Sequence, residues 1–89
     1  MNYFFFRVED SDLDKSAVSL DLCSVGAVSV EKGTGRSNKD VWGIIKTAVG
    51  TVAELRTLLI LNCSTPVHFL QKVESFAEGK TLSKQTAFW

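Results

Sequence analysis

The chain has little with which to hold a metal ion. It contains one histidine, His68, and two cysteines, Cys23 and Cys63, in no Cys-x-x-Cys or Cys/His spacing. Protein metal sites draw several such ligands from short, regular intervals, so neither a metal nor another cofactor is expected. An excess of one charge is also missing, because ten basic and ten acidic side chains give a net charge of zero. Nucleic-acid binders usually carry a basic excess, so the bulk charge gives no support to such a partner. No apolar run reaches membrane-spanning length: the longest, Val41 to Leu61, is broken by Lys46, Glu54 and Arg56. The stretch Met1 to Phe6 is too short for a secretory h-region and is met at once by Arg7 and Glu9. The expectation is a cytoplasmic protein with reduced thiols.

What is present is apolar and arranged in blocks. Hydrophobic residues make up 45% of 89 positions, which fits one folded domain, residues 1–89. Tyr3 to Val8 reads as a strand with large apolar groups on both faces, hence an interior strand or one that meets a partner. Ala17 to Cys23 and Ala27 to Glu31 both alternate apolar and polar, and Ser24-Val25-Gly26 between them suggests a hairpin. Ser37 to Asp40 resembles a capping box, and Val41, Ile45, Ala48, Val52 and Leu55 then fall on one helical stripe. Thr57 to Leu61 reads as a buried strand. The competing reading is a short helix capped by Thr51 and Glu54 that swallows the same run. Ser64 or Thr65 with Pro66 opens a further helix, which Gly79 would end. Leu82 to Trp89 has the spacing of a last strand.

The resulting order, β-β-β-α-β-α-β, implies an α+β fold: a two-layer sandwich of one mixed sheet with two helices on one face. The order is similar to that of ribonuclease H-like domains. The metal-binding acids such domains place on their first and fourth strands are absent, since Phe4 and Phe6 fill the first and Asn62-Cys63 end the fourth. That resemblance would imply an inactive version.

Three loops carry polar chemistry. Cys63, between a strand and a helix start, would feel the positive end of the helix dipole, with His68 one turn on to orient or deprotonate the thiol. A buried cysteine packing as a small apolar filler is the commoner outcome. Gly33, Gly35, Arg36, Ser37 and Lys39 form a glycine-rich basic turn that could turn backbone N–H groups toward a phosphate or other anion. It lacks the full spacing of a phosphate-binding loop, and a plain connection explains it equally. Asp10, Asp12, Asp14 and Asp21 approach the spacing of a calcium loop, but Lys15 stands where that loop needs glycine.

No catalytic constellation emerges, and the aromatic residues are the positive signal. The reading is therefore a small non-enzymatic protein-interaction module, binding itself as a homodimer or higher, or another protein, through an aromatic-rich surface of Tyr3, Phe5, Phe88 and Trp89. An anion- or ligand-binding domain is the alternative. A thiol enzyme centred on Cys63 is a third.

Overall fold

The structure is a computed structural model, and it describes residues 1–9, 18, 22–32, 40–62 and 67–84. Four strands form one sheet: β1 (Asn2–Glu9), β2 (Ala27–Lys32), β3 (Asp40–Thr47) and β4 (Phe69–Val73). Two helices complete the described elements, α1 (Val52–Asn62) and α2 (Phe76–Ser83). The α+β class holds. The sheet order is β2-β3-β1-β4 and every neighbouring pair is antiparallel, so the sheet is not mixed. The described elements run β-β-β-α-β-α, the expected order up to its last strand.

The topology is a pair of interleaved crossovers. β1 and β2 run parallel with β3 between them, and β3 and β4 run parallel with β1 between them. This is the split β-α-β plan of ferredoxin-like domains. Val18 and Leu22, between β1 and β2, are helical, and α1 lies between β3 and β4. Both helical segments lie on the same face of the sheet. Val18 and Leu22 join Leu55 and Leu59 of α1 over Phe4, Phe6 and Val8 in one core. The opposite face is covered too. Leu82 of α2 packs there with Phe5, Trp42, Ile44 and Val73 in a second core. The two named helices therefore lie on opposite faces, not on one.

β1 is interior as expected, and its aromatic rings on both faces are consumed by these two cores. Phe4, Phe5 and Phe6 are all buried. Phe5 packs 5.9 Å from Trp42 and 6.0 Å from Phe69 by ring centroids, the latter edge-on.

Several expected elements take the other form. Val18 and Leu22 are helical positions four apart, not strand positions, so the expected hairpin of Ala17–Cys23 with Ala27–Glu31 does not form there; β2 pairs with β3 instead. Asp40 to Thr47 is a strand, not a helix, because it is buried on both faces and is rich in β-branched and aromatic residues. Thr57 to Leu61 belongs to α1, whose first turn is capped by Thr51: its hydroxyl accepts from the Glu54 N–H at 3.2 Å.

The helix expected from Pro66 to Gly79 divides into β4 and α2. Ser75 makes the break. Its hydroxyl accepts from the Glu78 N–H at 3.2 Å, while the Glu78 carboxylate accepts from the Glu74 N–H at 2.8 Å. Gly79 is an interior residue of α2, not its end, and lets the helix approach Ile44: an added Cβ would stand 2.6 Å from Ile44 Cδ1. Leu82 and Ser83 are helical, and the rest of the expected last strand, 85–89, lies outside the described residues. Ser75→Ala should lower stability by about 1 kcal/mol, read from the midpoint of a urea melt. An unchanged midpoint would show that the cap is immaterial.

Candidate interaction surface

The candidate chemistry of the loops falls outside what the structure describes. Cys63, the turn of Gly33, Gly35, Arg36, Ser37 and Lys39, the loop of Asp10, Asp12, Asp14 and Asp21, and the terminal Phe88 and Trp89 all lie there. His68 is described and exposed, and its backbone N–H donates to the Arg7 carbonyl at 2.8 Å. Among the described residues no three histidine, cysteine or acidic side chains converge to hold a metal. No described helix is long and apolar enough to cross a membrane.

The aromatic residues assigned to an interface separate. Tyr3 is half-buried at the end of β1, with the Lys46 ammonium 6.0 Å from its ring centre. Phe5 is 1% exposed and is spent on the second core, so it offers nothing to a partner.

The exposed apolar side chains stand elsewhere, on α1. Leu55 and Leu59, four residues apart, point into the first core. The helix is apolar well beyond that stripe, and from Thr57 to Asn62 it carries no charge at all. Its surplus faces outward: Ile60 and Leu61 are each 75% exposed. Arg56 and Thr57, one turn before them, are exposed as well. Thr57 donates its hydroxyl to the Ala53 carbonyl at 3.1 Å, and Asn62 its amide to the Leu58 carbonyl at 2.8 Å. Thr57 and Asn62 are thus turned back onto the helix backbone, leaving the two aliphatic groups to dominate its last turn. Phe76, 40% exposed at the start of α2, is instead partly shielded by Lys80, whose ammonium lies 5.0 Å from the ring centre.

Two open grooves border the sheet end near Met1. One, of about 460 Å³, is lined by Asn2, Tyr3, Lys72, Glu74 and Glu78 among others. The other, of about 670 Å³, includes Cys23, Gly26, Lys46 and Val49. Lys72 is committed to the Gly50 carbonyl at 2.8 Å and Glu78 to the helix cap. Cys23 is a free, exposed thiol. Among the described residues that line them, no histidine or carboxylate joins Cys23.

Reasoning from sequence missed the α1 surface because it buried Thr57 to Leu61 in a strand. The signal that finds it is the Thr51-x-x-Glu54 cap. Counting from that start puts Leu55 and Leu59 on one side and Ile60 and Leu61 on another. Comparison with protein-family models, with curated proteins and with solved structures finds no match to this chain.

Proposed function

We propose that the domain is a protein-interaction module whose contact surface is the outer face of α1, led by Ile60 and Leu61. The observation that supports it is the pair of consecutive aliphatic side chains, each 75% exposed, in a helical turn free of charge. A single exposed leucine is ordinary, whereas adjacent large ones on an uncharged turn are the usual centre of a binding patch. Two side chains are too few for a stable interface on their own, which needs about 800 Å² from each partner. They serve as the anchor of a larger contact with another protein that offers an apolar groove or helix face.

Leu61→Asp tests the reading, because an exposed side chain can be changed without disturbing the core. Photo-crosslinking from Arg56, on the same outer face, should yield a discrete adduct with a cellular protein. The same adduct should be lost when Leu61→Asp is added. The circular dichroism spectrum and melting temperature should stay at their wild-type values. An adduct that forms equally well in the aspartate variant would defeat the reading.

A further inference from the structure

The two faces of the sheet are covered with unequal strength. On the first face Val18, Leu22, Leu55 and Leu59 all pack down together. On the second face, among the described residues, α2 is the one helical cover, and Leu82 is the only apolar side chain it sends into the core. Its other apolar groups turn outward: Phe76 is 40% exposed, and Ala77 is exposed. Gly79 meets Ile44 without a side chain of its own.

The helix is also closed on itself. The Ser75 hydroxyl accepts from the Glu78 N–H, and the Glu78 carboxylate accepts from the Glu74 N–H. The Gly79 N–H donates to the Ser75 carbonyl and the Lys84 N–H to the Thr81 carbonyl. The Thr81 and Ser83 hydroxyls donate to the Ala77 and Lys80 carbonyls. All of these bonds lie within residues 74–84, so separating the helix from the sheet breaks none of them.

On the sheet below lies a group that the closed state leaves unsatisfied. The Trp42 indole N–H is buried and meets no acceptor among the described residues. A buried donor without an acceptor carries its full desolvation cost, and contact with water removes that cost. The strand that holds Trp42 cannot move to relieve it, because β3 is laddered on both sides, with Arg7 and Glu31 opposite Trp42. The short helix anchored by one leucine is the part that can move.

We propose that α2 is a displaceable cover: it leaves the sheet as a unit, at a lower free energy than global unfolding, and admits water to Trp42. The open domain then carries a second apolar face, with Phe5, Trp42 and Ile44, on the side of the sheet away from α1. This opening is independent of the α1 reading, which concerns the other face.

Hydrogen exchange followed by NMR in native buffer and at low urea tests it. The Trp42 indole proton and the Thr81 and Leu82 amides should exchange together, about a hundredfold faster than the Phe5 and Ile44 amides. Their rates should also respond less steeply to urea, because a local opening exposes less surface. A reversible tether supplies the second arm. A Cβ at position 79 would stand 2.8 Å from Ile44 Cγ1, one bond from the Ile44 Cβ. That spacing suits a disulfide, whose Cβ atoms lie about 3.5–4.5 Å apart. Gly79→Cys with Ile44→Cys, in a Cys23→Ser, Cys63→Ser background, should slow indole exchange about tenfold or more when oxidised. Reduction of the same variant should restore the faster rate. Indole and α2 protons that share the rate and urea dependence of the Phe5 and Ile44 amides in the wild-type chain would overturn the proposal. So would an indole rate that is the same in the oxidised and reduced variant.

Discussion

Leu59→Ala is expected to destabilise the domain by about 2–5 kcal/mol, whereas Ile60→Ala, one residue on, should stay within about 0.5 kcal/mol of wild type. Leu59 is 4% exposed in the first core, facing the sheet beside Leu55, while Ile60 is 75% exposed. Truncating the former removes apolar contacts and leaves a cavity. Truncating the latter removes a side chain already in water. Small domains hold only about 5–15 kcal/mol in total, so the Leu59 variant will be near its unfolding threshold at ambient temperature. Paired urea melts measure the contrast. Equal losses at both positions would mean that Thr57 to Leu61 is a buried strand after all and that α1 is misplaced.

Gly43→Val should be the most damaging single change, abolishing the cooperative transition. Gly43 lies at the middle of β3, opposite Phe6 of β1 and Val30 of β2. The Phe6 ring occupies the space a side chain would take: a Cβ at this position would stand 2.7 Å from two ring atoms and would collide with the Ser29 carbonyl oxygen. Overpacking a core ordinarily costs about 1–3 kcal/mol. Here one obstacle is backbone and the other is a fully buried ring, so neither can yield by a rotamer change. Gly43→Ala should show the same effect in weaker form. A near-UV circular dichroism spectrum and thermal melt decide the matter. A valine variant that melts cooperatively near the wild-type temperature would refute the close packing of Phe6 on Gly43.

The interior position of β1 was legible because it rests on a local signal, large apolar side chains on both faces of one short run, whereas the α+β class was legible only as a mixture of strand and helix patterns. Their assignment to particular segments was not. β3 carries Val41 and Ile45 on one face with Trp42 and Ile44 on the other, and a strand buried on both faces loses its period of two. The stripe Val41, Ile45, Ala48, Val52 then mimics a helix, and the Ser37–Asp40 capping pattern reinforced it. α1 presents the converse. Its polar residues, Glu54, Arg56, Thr57 and Asn62, do not gather on one face, so only the Thr51 cap distinguishes it from a strand. Ser75-x-x-Glu78 was a legible break between β4 and α2, but apolar spacing from Val67 to Ala77 ran across it. Of the aromatic residues assigned to an interface, Phe5 is instead buried in the second core. A second helical cover, α2, removes the uncovered face that would have required them at an interface. Ile60 and Leu61 are apolar in any reading, and only the helix geometry turns them outward.

The interleaving of the crossovers also bears on how the chain emerges from a ribosome. β1 is made first, yet its partners are β3 and β4, so its second edge stays unpaired until Val73 has been added. Until Thr47 has been added the segment from Tyr3 to Val8 is a run of aromatic and β-branched groups, interrupted only by Arg7, without either sheet neighbour. Long-range pairing of this kind slows folding and leaves strand edges open to neighbouring chains. Expression yield will therefore depend on how this one segment is shielded before the last third of the chain arrives.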